Sequence, residues 1–499
     1  MKQKVRHAAL RVPRWLGSQT AWRLLLGLFL LEALWFVFSA RYPMAFDENY
    51  HFGLIKLHAD QWLPFFTAQP HNAAVFGAVV RDPSYLYHWL MSFPYRLISL
   101  FVHSQPVQVI LLRLINVALF GLGIELYRRI LRQIGASAAL TTSVLAVFVL
   151  IPVVPFLAAH INYDNLFFVA VALAILLAVR SLESFRVKRI DAATTLLLLA
   201  VLCLSSLIKY PFLPIAVITG LFLLWRAWRG GLLSKAGWQS AVTGFRKLQR
   251  WQSVLLVVLV VISAGLFTER YIDNLATYHD PVPACDAVIS QDECAQYGPY
   301  GRDRIFAQEK PAAFHPSLGW YIGQWFYGMW YRLFFAINYD YATSPPLFVI
   351  SRLAIGLAVM LGVGVTLRFR PLFRAQPVRQ LILWLMAGYT LVLFVDGFSS
   401  YAKTAQPVAI NGRYIIPFLP FVFALGGIAW SQLLRGKWAA LKPVAASLVI
   451  ATFLLQGGGT MTYIIRSGDV WLWNNGTVRS VNRIVRSAAW PFIIDKDHT

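Results

Sequence analysis

The chain has 499 residues, 58% of them hydrophobic and 13% charged, with a formal net charge of +23 and a mean hydropathy of +0.58. Soluble globular domains carry about 25% charged residues, so this composition excludes one and describes an integral membrane protein. The positive excess lies between apolar stretches rather than in a soluble basic domain, which sets nucleic acid aside as a partner and points to anionic membrane lipid.

The first apolar stretch, Trp22 to Ala40, follows Lys2, Lys4, Arg6, Arg11 and Arg14 and has no small-residue cleavage site after it. It reads as a retained helix, with the basic segment 1–21 in the cytoplasm. Further stretches near the ~20 residues needed to cross a bilayer bring the count to about eleven, an all-α polytopic bundle spanning residues 22–466. Basic clusters at Arg128, Arg129 and Arg132, at Arg186, Lys188 and Arg189, from Arg226 to Arg250, from Arg368 to Arg379, and from Arg435 to Lys442 alternate with acidic or mixed connections. That alternation predicts an up-and-down bundle with one basic, cytoplasmic face.

Two long loops, 41–105 and 269–346, then fall on the outer face. The first contains an amphipathic run, Phe52 to Leu63, and the aromatic stretch Tyr85 to Trp89, which suggest short interfacial helices. The second is acidic and ends, toward Pro346, in Trp320, Tyr321, Trp325, Phe326, Tyr327, Trp330 and Tyr331, either an aromatic belt or a platform for stacking sugars. Cys285 and Cys294 are spaced for a disulfide closing a small hairpin, whereas Cys203 is alone in an apolar helix. The tail, 467–499, carries Arg479, Arg483 and Arg486 and with eleven spans lies outside, as an amphipathic helix on the surface.

Polar residues gather where outer helix ends are expected. They are Asp47, Glu48 and His51 after Phe46, then Asp82 and Tyr85, then Asn162, Asp164 and Asn165, then Lys209, and finally Arg413 and Tyr414. Ionisable side chains at membrane level are costly unless they bind or react, and one outward cavity lined by all of them accounts for the shared depth. Carboxylates suit a base or cation ligand, and Lys209 with Arg413 suit an anion such as phosphate. Blander roles stand beside these: Asp164 as the cap of a helix starting at Asn165, Lys209 as a snorkelling side chain, Arg413 as an interfacial anchor, Glu32 as a hydrogen-bond partner for a neighbouring helix.

Asp47-Glu48, Asp82-Pro-Ser-Tyr-Leu-Tyr87, Asn162-Tyr-Asp-Asn165, Lys209 and Gly412-Arg-Tyr-Ile-Ile-Pro417 occur in an order that resembles the GT-C fold glycosyltransferases, nearest the protein O-mannosyltransferase and aminoarabinose-transferase branch. The resemblance runs from the first helix to about Pro420 and departs from the branch at the Glu48–His51 spacing and at Arg81-Asp-Pro83. It implies a GT-C type bundle and a polyprenyl-phosphate sugar donor, with a glycan, lipid or protein as acceptor. It also implies Asp47 as catalytic carboxylate with Glu48 and Asp164 beside it, and Lys209 and Arg413 on the lipid phosphate. His51, Asp82, Tyr85, Asn165 and Tyr414 complete the expected substrate site. Such an enzyme sits in a cell membrane, as in a bacterial inner membrane, with its active site on the outer face.

The topology leads to the same donor class. Nucleotide sugars are cytoplasmic, so transfer on the outer face needs a sugar on a flipped lipid carrier. No dinucleotide or phosphate-loop signature is present, and the outer motifs lack the dense oxygen cluster that would make a divalent cation more than an option. The rival readings are a lipid-linked sugar transporter or flippase, and an outer-face polysaccharide polymerase or ligase.

Overall fold

The computed structural model describes residues 14–45, 47–334, 336–337, 343–344, 347–408 and 410–494; Lys2, Lys4, Arg6, Arg11, Phe46 and Pro346 lie outside them. In chain order the main helices are α1 (Gln19–Ser39), α2 (Glu48–Ala59), α3 (Leu86–Phe101), α4 (Gln105–Gln133), α5 (Ala138–Val149), α6 (Val153–Ala158), α7 (Tyr163–Arg186), α8 (Ala192–Ile208) and α9 (Phe212–Arg229). Then come α10 (Lys235–Arg246), α11 (Arg250–Phe267), α12 (Leu318–Phe334), α13 (Phe348–Leu367), α14 (Pro377–Thr404), α15 (Leu419–Leu433), α16 (Leu441–Leu455) and α17 (Gly476–Ala489). Two two-residue strands, Ala336–Ile337 and Thr343–Ser344, pair antiparallel.

Among the described residues, eight helices are long and apolar enough to cross a membrane. They are α1, α4, α7, α9, α11 with its continuation to Tyr278, α13, α14, and the Gly412–Leu433 segment that ends in α15. The helices α5, α8 and α16 are equally apolar but shorter. Length and composition therefore support a helical polytopic membrane protein with eight candidate spans, which together with the three shorter apolar helices match the eleven apolar stretches of the sequence in number. Helices suit such an environment because each satisfies its own backbone hydrogen bonds. Ser18, Ser137, Asn162 and Asp191 begin α1, α5, α7 and α8 by accepting a hydrogen bond from a first-turn N–H.

Three of the basic clusters, those at 128–132, 368–379 and 435–442, meet at one end of the bundle. Arg128 lies 4.7 Å from the Trp22 ring, Arg379 donates to the Ile134 carbonyl at 2.8 Å, and Lys442 donates to the Ser431 carbonyl at 2.8 Å. The opposite end is closed by the tail. Arg41 N–H donates to the Trp471 carbonyl and Trp473 N–H to the Ser39 carbonyl, which pins the tail to the end of α1. The amphipathic helix expected there is α17, with Asn475 capping it.

Packing holds the site-bearing elements in register. Phe168 of α7 stacks on Phe120 and Tyr127 of α4, with ring centroids 4.3 and 4.4 Å apart. Gly123 permits that approach, since a Cβ there would come within 2.4 Å of the Phe168 ring. The Tyr127 hydroxyl donates to the Pro417 carbonyl at 2.7 Å, fastening α4 to the 3-10 turn Gly412–Phe418. Outer-loop boundaries differ from expectation: the amphipathic run is helical over Glu48–Ala59, and the aromatic stretch opens α3. The aromatic cluster of α12 divides, with Tyr321 and Trp325 buried and Phe326 and Tyr327 exposed. Tyr321 stacks on Tyr401 of α14 at 5.3 Å, so helix packing uses part of the aromatic cluster expected as a belt or a platform.

Candidate functional site

Four ionisable side chains, from four separate stretches of the chain, form one line at the end opposite the basic clusters. Lys209 Nζ stands 2.5 Å from Asp164 Oδ1, Arg413 Nε lies 3.7 Å from Asp164 Oδ2, and Arg413 Nη2 lies 3.2 Å from Asp47 Oδ2. Three of the four are buried, whereas the Asp47 side chain is 58% exposed. The line thus runs from a dry interior to one accessible carboxylate.

Local turns aim these groups. Asn162 caps α7 by accepting from Asp164 N–H at 2.9 Å, and Asn411 accepts from Arg413 N–H at 3.1 Å. The cap of α7 is therefore Asn162, and Asp164, assigned that duty as one option above, is free to face Lys209. Lys209 ends α8 with its ammonium boxed by Tyr163 at 4.6 Å, Tyr414 at 4.7 Å and Phe167 at 5.6 Å. That enclosure does not fit the snorkelling role. Asp47 sits in the left-handed region at φ 68°, which an Asp tolerates at a cost of about 1–3 kcal/mol. The turn separates Asp47 from Glu48 and sends the two carboxylates in different directions.

Glu48 points inward, fully buried. Arg113 of α4 donates to both its oxygens, at 2.8 and 2.7 Å, Met44 N–H donates at 2.8 Å, and Ile161 N–H at 3.3 Å. Burial pushes the Glu48 carboxyl up, but Arg113 outweighs it and holds the group below the ordinary range. Arg113 also donates to the Ala40 carbonyl at 2.6 Å. Glu48 therefore ties the end of α1, the first loop and the approach to α7 together, a placement that does not fit the catalytic part expected for it.

The remaining expected residues surround the line at different depths. His51 Nδ1 and His88 Nε2 share a 2.9 Å hydrogen bond, and burial lowers the pKa of both well below the usual histidine value. One ring must then donate and the other accept, so the pair is neutral. Asn165 donates to Asn116 Oδ1 at 3.0 Å and to the His160 carbonyl at 2.8 Å, inside a network that includes Tyr87. Tyr85 packs under Arg270 at 5.1 Å. Asn165 and Tyr85 are thus structural neighbours rather than members of the line. Asp82 is half-buried and accepts from Ser84 N–H at 2.8 Å; burial raises its pKa.

Two residues absent from the sequence expectations reach the site. Tyr297, just past the Cys285–Cys294 disulfide, lies 5.9 Å from Tyr50 between ring centroids and within electrostatic range of both Asp47 and Asp82. Gly77 lets it dock, because a Cβ there would stand 3.2 Å from the Tyr297 ring. Arg332 of α12, exposed, lies within electrostatic range of Arg413 and Tyr414. Its signal was in the sequence: like Arg413, it is a cation in a stretch expected on the outer face, which the positive-inside bias leaves poor in cations.

Tyr50, Tyr297 and Tyr414 thus give the carboxylates Asp47 and Asp82 a half-exposed aromatic wall. Carboxylates accept from hydroxyl groups and rings stack on the apolar face of a sugar, so this end suits a polyhydroxylated ligand bearing an anion. Among the described residues no group of three His, Cys, Asp or Glu side chains could hold a metal ion. A comparison of the chain with protein-family models, with curated proteins and with solved structures finds no match.

Proposed function

We propose that the protein is a membrane glycosyltransferase that moves a sugar from a polyprenyl-phosphate carrier to an acceptor hydroxyl. The acceptor is a glycan, a lipid or a protein. The observation that carries this reading is the line Asp47–Arg413–Asp164–Lys209, with an exposed carboxylate next to a guanidinium at its open end. In this reading α5, α8 and α16 also cross, giving eleven spans. The basic end is cytoplasmic and the line opens on the outer face.

The acceptor oxygen attacks the anomeric carbon, the carbon–oxygen bond to phosphate breaks with its electron pair leaving on the phosphate, and the acceptor proton passes to Asp47. Direct displacement inverts the anomeric centre. Arg413, with Arg332 nearby, meets the charge growing on the leaving phosphate. Lys209, enclosed by three rings, serves as the anchor of Asp164, which in turn aims Arg413. Glu48 acts as a positioning residue for Asp47. Tyr297 and Tyr50 offer the sugar its stacking surface.

The cluster's place at one end favours a transferase over a transporter, whose charges would line a path near the midplane. Purified protein in vesicles with a polyprenyl monophosphate sugar tests this, with the carrier followed by mass spectrometry. Transfer releases bare polyprenyl phosphate once an acceptor is supplied. Return of the intact sugar-lipid on the other leaflet, with no carrier released, would replace the proposal with the flippase reading.

A further inference from the structure

A cavity lies at the basic end of the bundle, where α5, α13, α15 and α16 meet. Its volume is about 550 Å³, within the ~300–1,000 Å³ common to small-molecule sites. Its walls are mainly apolar, with Leu140, Val147, Leu361, Phe423 and Trp430 among them, and among the described residues no Asp or Glu lines it. It opens beside Met360 and Leu441, both more than 40% exposed. The segment Gly412–Leu433 carries Arg413 near its start and cavity-lining Ser431 near its end, so the two positions lie roughly 30 Å apart along a helix.

The rim is cationic. Lys442 lines the cavity and is steadied by its bond to the Ser431 carbonyl. Arg379 donates through Nε and Nη1 to the Ile134 and Leu372 carbonyls, which leaves its Nη2 beside the cavity-lining Gly135. Arg368 reaches the Gln432 carbonyl at 3.5 Å, next to cavity-lining Ser431. An apolar chamber with a multiply cationic mouth complements one ligand class: a lipid with a phosphate headgroup and hydrocarbon chains.

We propose that this cavity holds an anionic glycerophospholipid of the leaflet at the basic end, with acyl chains between α5 and α16 and phosphate at Lys442 and Arg379. The polyprenyl carrier is the wrong occupant, because its phosphate is needed about 30 Å away at Arg413. That the cavity takes a phosphate-bearing lipid rests on its walls and cationic rim, and the choice of a glycerophospholipid over the polyprenyl carrier rests on the reaction proposed above.

The test is photocrosslinking of the full chain in detergent with diazirine-acyl phosphatidylglycerol, phosphatidylcholine or polyprenyl monophosphate. Phosphatidylglycerol should label peptides of α5, α15 or α16, exceeding phosphatidylcholine by about fivefold for each engaged cation. Lys442→Gln should bring the anionic lipid closer to the zwitterionic one. Ala446→Trp, which fills the chamber, should remove labelling there by both. Equal labelling by the two phospholipids, labelling confined to other helices, or preferential labelling by polyprenyl monophosphate would each overturn the proposal. Because Lys442→Gln keeps the packed core intact, the charge comparison stands even if Ala446→Trp misfolds.

Discussion

Replacing either member of the Glu48–Arg113 pair should destabilise the protein far more than an exposed substitution would. Both side chains have no exposure and share two hydrogen bonds of 2.7–2.8 Å. Removing one partner of a buried pair leaves an uncompensated charge, a loss of about 3–5 kcal/mol. Arg113→Met strands a carboxylate that keeps only the Met44 and Ile161 N–H donors. Glu48→Gln strands a guanidinium that keeps the Ala40 carbonyl. The double variant strands neither and should recover about 2 kcal/mol or more against the sum of the singles. Unfolding of purified protein in detergent, followed by denaturant titration, supplies all four corners of the cycle. Additive losses, or single variants within about 0.5 kcal/mol of wild type, would refute the structural role given to Glu48 and return it to the list of reacting groups.

Asp47→Asn keeps size and loses basicity, so turnover should fall at least about 100-fold with the unfolding midpoint unchanged; near wild-type turnover would remove Asp47 as the base. Arg413→Ala should lose about 2–4 kcal/mol of transition-state stabilisation, roughly 30- to 1,000-fold in rate at saturating acceptor, and a change in acceptor KM alone would contradict that. Tyr297→Ala should raise KM with little change in unfolding, because the residue meets the ligand from a surface loop; an unchanged KM would place it outside the site. His160, fully buried, is held down to about 4 by burial. Below the unfolded value of about 6.5 the unfolded chain takes up a proton that the folded one refuses. Stability from this group is therefore complete above that pH and falls as pH drops toward 4, by about 2 kcal/mol at pH 5. A midpoint that rises or stays level from pH 7.5 to 5 would contradict the buried neutral histidine, and His160→Gln should flatten the slope.

The convergence of Asp47, Asp164, Lys209 and Arg413 was legible because each follows or precedes an apolar run at the same end of the bundle. Depth along a helix can be counted in residues. Direction around it is harder, as Glu48 shows: one left-handed residue, Asp47, turns neighbouring carboxylates to opposite sides. Arg113 was visible in principle, since an arginine within Ile110-Leu-Leu-Arg-Leu-Ile115 must find an acid. Its partner lies 65 residues away, and no local periodicity names it. Asn116 is three residues on and so shares the Arg113 face of α4. Tyr297 had no signal of that kind, because a surface loop closed by a disulfide has neither helical nor strand period to orient its side chains. The shorter helices α5, α8 and α16 show the limit of hydropathy counting: they are apolar but only 12, 17 and 15 residues long, so the count of apolar runs exceeds the count of long helices.

The central claim is that the Asp47–Lys209 line transfers sugar from a lipid carrier. The most direct measurement offers purified protein a nucleotide sugar and the matching polyprenyl monophosphate sugar in parallel, each with a mixed glycan, lipid and peptide acceptor pool, and records glycosylated product by mass spectrometry. Product from the lipid-linked donor alone, lost in Asp47→Asn, is the predicted result. Product from the nucleotide sugar alone, or undiminished product from Asp47→Asn, would contradict it.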